Sequence, residues 1–135
     1  MIYEVIDTNV IVSAYITTNK NSATSQVLQH IVKGDIVPIY NDEILDEYKD
    51  VLSRKKFHLP YELVEAFLNI IIEQGIQGNR IPFNEDMPDE DDRVFLEITL
   101  SQEDSFLVTG NLKHYPKLPE VISPAEFIRR FFENP

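Results

Sequence analysis

Short apolar runs alternate with longer amphipathic stretches along this chain, and this alternation restricts the fold more than any other feature of the sequence. Runs with the length and composition of buried strands occupy residues 2–6, 36–40, 106–109 and 121–122. Strands separated by helices of ten or more residues pair in parallel through right-handed crossovers. The sequence therefore predicts an α/β fold, a three-layer sandwich with a mainly parallel sheet covered by helices on both faces.

The predicted helices carry recognisable boundary signals. Gly34 suits the left-handed residue that closes a helix, and Ser123 with Pro124 and Glu126 forms a capping box. The helices are predicted from about residue 22 to Gly34, from Asn41 or Asp42, from Pro60, from Asp89 to about Leu100, and after Ser123. Residues 75–88 contain glycines, prolines and polar residues, so we expect a loop there, with a short strand near Ile81.

The size and composition of the chain are those of one compact domain, which we expect to span residues 1–135. The chain is 43% hydrophobic and contains no cysteine, so a disulfide framework and a thiolate metal site are both excluded. The N-terminus does not have the pattern of a signal peptide, and no apolar run approaches the roughly 18 residues of a membrane helix. We therefore expect a cytoplasmic protein.

The formal net charge of -11 is the most unusual bulk property of the sequence. An acidic chain repels nucleic acid at long range and favours cations or basic partners. The basic residues nevertheless cluster, at positions 54–58, at positions 113–117 and at Arg129-Arg130. Solvated surface is the ordinary interpretation of such clusters, and local contact with phosphate is the alternative.

Two polar residues follow predicted strands, at the edge of the sheet where ligands gather in open α/β folds. Asp7 interrupts an apolar run at the end of the first strand, and Asn111 follows the strand at residues 106–109. Both are expected to project at the carboxyl edge of the sheet. The residues after Asp7 then begin a helix or a turn beneath it.

Two further acids have helical positions that bring them towards the core. Glu47 lies only about 40° beyond the apolar face of its helix, while its neighbour Asp46 lies on the far side. Asp92 shares a helix face with Phe95 and Leu96, whereas Asp89 is interpreted as a helix cap. An acid at the waterline of an amphipathic helix is the structural alternative for Glu47.

If Asp7, Glu47 and Asp92 converge, their carboxylates repel one another. At 4 to 5 Å each pair costs roughly 3 to 4 kcal/mol at an effective dielectric constant near 20, so a cation or protons must neutralise the site. Oxygen ligands alone, with no cysteine and no histidine at metal-ligand spacing, indicate a hard ion, Mg²⁺ or Mn²⁺, rather than zinc. Phosphoryl transfer is the chemistry that most often uses such a site.

Five segments resemble the PIN-domain ribonucleases, in particular the VapC-like toxins of bacterial toxin-antitoxin pairs. They are V-I-D-T-N-V-I-V-S-A at 5–14, E-I-L-D-E-Y-K-D-V-L at 43–52, D-E-D-D-R-V-F-L-E-I at 89–98, F-L-V-T-G-N at 106–111 and I-S-P-A-E-F at 122–127. They occur in the family's order over nearly the whole chain. The resemblance implies a PIN-like fold and Mg²⁺- or Mn²⁺-dependent hydrolysis of RNA to 5′-phosphate and 3′-hydroxyl products.

The same resemblance implies roles for individual residues. Asp7, Glu47 and Asp92 would be catalytic metal ligands, with Asn9 and Thr109 as polar supports. Asn111 occupies a catalytic position where many members have aspartate, so one negative charge is missing, and Asp89 or Asp91 is the alternative source of that charge. Basic residues at 54–58 and 113–117, Lys113 among them, would hold the RNA strand. The family also implies a homodimer and a cognate antitoxin protein that blocks the site.

Three alternatives remain open at this stage. His114 invites assignment as a general base, but a loop histidine or a contact to substrate phosphate is the favoured interpretation. The chain would instead be a PIN-fold module that binds RNA or protein with weak or absent catalysis if Asn111 prevents turnover. A haloacid-dehalogenase-like phosphatase would use Asp7 as its nucleophile, although its motif has a second aspartate where this chain has Asn9.

Overall fold

A single five-stranded parallel sheet organises the computed structural model, which describes residues 1–133. The strands are β1 (Ile2–Ile6), β2 (Ile36–Tyr40), β3 (Ile76–Gln77), β4 (Ser105–Val108) and β5 (Val121–Ile122). Their spatial order is β3-β2-β1-β4-β5, and every neighbouring pair is parallel. The first strand in the sequence is thus the middle strand of the sheet.

Six α-helices surround the sheet. They are α1 (Thr8–Ile16), α2 (Ala23–Lys33), α3 (Asp42–Leu52), α4 (Tyr61–Gln74), α5 (Arg93–Thr99) and α6 (Pro124–Ile128), which continues as a π-helical turn, Arg129–Glu133. Helices α2 and α4 pack on β2 and on each other, whereas α5 packs on β1, β2 and β4. The chain moves from β1 to β3 in one direction and returns to β4 in the other, so right-handed crossovers place α5 on the opposite face. The predicted α/β sandwich is confirmed.

Most predicted helix boundaries are also confirmed. Gly34 closes α2 with a left-handed φ of 84°, and the Asn41 side chain accepts a hydrogen bond of 2.9 Å from the amide of Ile44 at the start of α3. The Ser123 hydroxyl accepts a bond of 3.1 Å from the amide of Glu126. These local signals fix where each helix enters or leaves the sheet.

The predicted strand near Ile81 is wrong. The short strand is Ile76–Gln77, directly after α4, and the Ile81 amide instead donates to the carbonyl of Glu97. Gly75 explains the early return to the sheet, because a β-carbon at this position would lie 2.3 Å from the carbonyl oxygen of Pro38. Only glycine allows the backbone to approach β2 so closely.

The helix predicted from Asp89 begins later than expected. A 3₁₀ turn occupies Glu90–Asp92, and α5 starts only at Arg93. Asp89 does cap this turn, since its side chain accepts a bond of 3.0 Å from the amide of Asp91. The turn places Asp92 at the point where the chain enters α5.

Nowhere in residues 1–133 is there a helix with the length and apolar character to cross a membrane.

Candidate metal centre

Asp7 stands at the carboxyl edge of the middle strand, beside the end of β4. Ile6 and Val108 are register partners, and the Asp7 amide donates to the Val108 carbonyl at 2.9 Å. The side chain is buried, and its Oδ2 accepts hydrogen bonds from the hydroxyls of Thr109 at 2.8 Å and Tyr115 at 3.0 Å. Two donors on one oxygen fix the direction of the Asp7 carboxyl group.

Glu47 reaches the same edge from α3. It is half-buried, and its Oε2 accepts a short hydrogen bond from the hydroxyl of Thr8, the first residue of α1. Burial raises the pKa of Glu47, the bond from Thr8 opposes this rise, and the nearby charge of Asp7 adds to it. Thr8, which directly follows Asp7 in the chain, therefore holds Glu47 beside Asp7.

Asp92 has a buried carboxylate oxygen without a hydrogen-bond donor. Its side chain is 14% exposed, and Oδ2 is fully buried and makes no hydrogen bond within residues 1–133. The His114 Nδ1 atom lies 3.3 Å from this oxygen, an ion-pair distance that lacks hydrogen-bond geometry. Burial raises the pKa of Asp92 to about 6, with further contributions from Asp7 and Asp89, while His114 lowers it.

Among the described residues, one group of three metal-ligating side chains lies close enough to hold a single ion, and it consists of Asp89, Asp92 and His114, without Asp7 or Glu47. One ligand atom from each residue lies within 4.8 Å of the others. Asp89 caps the turn Glu90–Asp92, as the sequence predicted, and it also lies beside Asp92.

Three other predicted site residues lie around the loop that follows β4. The Asn9 side chain accepts a bond of 3.0 Å from the amide of Gly110, which ties α1 to this loop. The Asn111 side chain is exposed, and the backbone amide of Asn111 donates to the Thr109 hydroxyl at 3.0 Å. Lys113 is exposed on the 3₁₀ turn Leu112–His114. Asn9 and Thr109 thus have structural bonds that agree with a supporting role.

Two polar partners of the acids were not identified from the sequence. Thr8 bonds to Glu47, and Tyr115 bonds to Asp7. Thr8 gave no signal of its own, because a threonine at the start of a helix is explained by local structure. Tyr115 lies in a loop, and no spacing rule brings its hydroxyl back to the first strand.

The donor groups of this edge suit a divalent cation. Burial raises the pKa of Glu47 and of Asp92, and the negative charge of Asp7 adds to both rises. The buried oxygen of Asp92 has lost its water without gaining a donor, and a cation would satisfy it. Carboxylate oxygens are the ligands that Mg²⁺ and Mn²⁺ prefer.

Comparison with known proteins gives a family for this fold and edge. The sequence profile of the PIN domain matches residues 4–113, which include Asp7, Glu47, Asp92 and Asn111. A search of curated proteins finds no match to the chain. The profile covers most of the sequence and agrees with the five-stranded parallel sheet. The chain therefore belongs to the PIN domain family, whose members are generally nucleases.

Proposed function

We propose that the chain is a divalent-metal-dependent endoribonuclease that hydrolyses phosphodiester bonds of RNA. One observation carries the proposal: at the carboxyl edge of a PIN fold, burial raises the pKa of Glu47 and of Asp92, the charge of Asp7 adds to both rises, and Asp92 has an unsatisfied buried oxygen. A structural acid cluster of this kind is costly without a cation. Divalent-metal centres are common in enzymes that hydrolyse phosphodiesters.

Asp7, Glu47 and Asp92 would hold Mg²⁺ or Mn²⁺. When bound, the ion supplies a water of lowered pKa and offsets charge on the phosphate oxygens. Thr109 and Tyr115 hold the Asp7 carboxylate in one orientation. Partners of this kind keep ligands in place before the ion arrives, which lowers the cost of binding.

The loop after β4 would position the substrate. Asn9 fixes the amide of Gly110, and the Thr109 hydroxyl accepts from the amide of Asn111, so the backbone here is held at both residues. Lys113 and the exposed basic residues of positions 54–56 offer positive charge on an otherwise acidic protein. These side chains would contact the RNA phosphates once a metal has neutralised the acids.

The biological setting follows from the likeness to VapC-like toxins. We propose that the chain is one PIN-like domain, residues 1–135, and the toxin of a bacterial toxin-antitoxin pair. It would act in the cytoplasm as a homodimer, and an antitoxin protein would block the metal centre. Co-purification with the product of a neighbouring short gene, and loss of RNA cleavage in that complex, would test this role.

Cleavage of mixed RNA in the presence of Mn²⁺ tests the activity itself. The wild type should release fragments with 5′-phosphate ends, and Asp7→Asn and Glu47→Gln should lower the rate by about 100-fold or more, because each removes a metal-binding charge. Asp46→Asn is the matched control, since Asp46 is the exposed neighbour of Glu47 on α3 and loses the same charge. Equal rates for wild type and Asp7→Asn would exclude the nuclease.

A binding module without turnover is the second candidate, favoured by Asn111 at a position where many PIN nucleases have aspartate. This candidate predicts that the wild type retains RNA in filter binding while no fragments appear. The phosphatase alternative has less support, because the side chain of Asn9 holds the amide of Gly110. Release of inorganic phosphate from a small phosphate ester would be its signature.

A further inference from the structure

The imidazole of His114 lies beside the metal-binding edge. The 3₁₀ turn Leu112–His114 follows Asn111, and the His114 amide donates to the Asn111 carbonyl at 3.0 Å. This turn carries the side chain to Asp92, where Nδ1 lies 3.3 Å from the buried Oδ2. Asp89 belongs to the same cluster.

The spacing of these atoms is that of neighbouring ligands on one ion. In an octahedral site with bonds near 2.1 Å, adjacent ligand atoms are about 3 Å apart. The contact between His114 and Asp92 has this length but no hydrogen-bond geometry, and the Asp92 oxygen has no donor elsewhere in residues 1–133. The two atoms therefore lie as close as neighbouring ligands without a hydrogen bond between them.

The sequence change at Asn111 gives this arrangement a chemical meaning. The amide cannot supply the charge of an aspartate, and its side chain is exposed. Three residues later, His114 returns to the acidic edge with a nitrogen ligand. A neutral imidazole is a poor ligand for Mg²⁺, but it suits ions further along the transition series.

We infer that His114 is a direct ligand of the metal centre, next to Asp92 and with Asp89 nearby, and that it makes the centre prefer Mn²⁺ to Mg²⁺. The inference rests on the proposed function, because it concerns the same centre. It assigns a nitrogen ligand to a site whose other ligands are oxygen atoms. The preference comes from the chemistry of the ligand set.

Pulsed electron paramagnetic resonance of the Mn²⁺-loaded protein tests this ligand directly. The wild type should show ¹⁴N coupling from a coordinated imidazole, and His114→Asn should lose it. Protein grown with ¹⁵N-labelled histidine should show ¹⁵N coupling instead, which tests the unmutated chain. His58→Asn is the control for metal binding, because His58 is exposed and its left-handed backbone tolerates asparagine.

Calorimetry with Mn²⁺ and Mg²⁺ measures the preference. His114→Asn should weaken Mn²⁺ binding about tenfold and change Mg²⁺ binding by less than about twofold. Mn²⁺ bound without nitrogen coupling, or an unchanged ratio of the two affinities, would overturn the inference while RNA cleavage and the proposed nuclease stand. Failure of both metals to bind, together with absence of cleavage, would reject the proposed function and this inference with it.

Discussion

The hydroxyl of Tyr115 donates a hydrogen bond of 3.0 Å to Asp7 across 108 residues of sequence. The bond joins the loop after β4 to the end of the middle strand. The Thr109 hydroxyl shares the same acceptor oxygen at 2.8 Å. Asp7 is thereby held by two hydroxyl groups, and its orientation depends on the loop that contains His114.

Removal of the Tyr115 hydroxyl should impair cleavage without unfolding the chain. We expect Tyr115→Phe to lower the rate of Mn²⁺-dependent RNA cleavage about tenfold, because a partner that orients a metal ligand is lost while the ring stays packed. Steady-state cleavage assays and circular dichroism measure the two effects. Tyr61→Phe, at an exposed ring on α4, should leave the rate unchanged. Equal rates for both variants would contradict a role for the bond.

The bond between Thr8 and Glu47 can be tested with a pair of nearly isosteric changes. Thr8→Val removes the donor to Glu47 and should raise the Mn²⁺ concentration for half-maximal cleavage about tenfold. Thr8→Ser keeps the hydroxyl and should stay within about threefold of the wild type. A metal titration of cleavage compares the two. Similar losses in valine and serine variants would show that the methyl group, not the bond, matters.

Restoring a carboxylate after β4 should strengthen metal binding. We expect Asn111→Asp to tighten Mg²⁺ binding by roughly three- to tenfold, because it adds a negative charge beside the acids. The gain is limited because the side chain at position 111 is exposed and solvent screens its charge. Calorimetry measures the change. Glu120→Gln, which removes a negative charge outside the centre, is the control and should leave the Mg²⁺ affinity unchanged. An unchanged Mg²⁺ affinity would mean that position 111 does not reach the ion.

The ion pair between Arg80 and Glu97 should be important for stability. Glu97 is buried and accepts bonds from Arg80 Nε at 2.7 Å and from the Phe83 amide at 2.8 Å. Arg80→Met leaves a buried carboxylate without its cation, so we expect a loss of about 2 kcal/mol in the free energy of unfolding, allowing for the partial exposure of Arg80. Urea unfolding of the wild type and of Arg80→Met measures this loss.

The control for Arg80 is a surface pair. Arg129 contacts Glu126 at an exposed position, and Arg129→Met should leave the midpoint of urea unfolding essentially unchanged. If the two variants unfold at the same urea concentration, the pair at Glu97 is no stronger than a surface contact.

Glu4 makes the stability of the fold depend on pH. The side chain is fully buried in β1, and neither carboxylate oxygen has a hydrogen-bond partner among the described residues. Burial raises the pKa of Glu4 well above its ordinary value of 4.5, so the folded chain keeps this group protonated where the unfolded chain releases the proton. Stability due to Glu4 is therefore fully present below pH 4.5 and is lost as pH rises towards the folded pKa.

Comparison with Glu4→Gln isolates this effect. Relative to the variant, the wild type should lose about 1.4 kcal/mol per pH unit above pH 5 until the folded pKa is passed. Thermal unfolding between pH 5 and pH 8 measures the difference, and Glu103→Gln, at an exposed acid, should follow the wild type. Parallel curves for wild type and Glu4→Gln would mean that Glu4 gains a partner or is ionised in the fold.

The sequence predicted those features of the fold that have a periodic or local cause. The ends of β1 and β4 followed from apolar runs, and these ends place Asp7 and Thr109 side by side. Helical angles brought Glu47 on α3 towards the core, where it is half-buried, whereas Asp92 is half-buried from a 3₁₀ turn that lies before its predicted helix. Residue types and helical spacing were sufficient for the strand ends and for Glu47.

Contacts made by irregular segments could not be predicted in this way. Tyr115 reaches Asp7 from a loop, and a two-residue strand such as Ile76–Gln77 has no measurable period. The error near Ile81 has the same origin, since the position of β3 depends on how closely Gly75 approaches Pro38. Such approaches belong to tertiary packing, which one sequence does not reveal.

The central place of β1 has a consequence for synthesis on the ribosome. The first strand cannot find its neighbour β4 until more than a hundred residues have been made, and the loop that steadies Asp7 is translated later still. A growing or truncated chain lacks the assembled pocket. The proposed nuclease activity therefore arises only when translation of the polypeptide is almost complete.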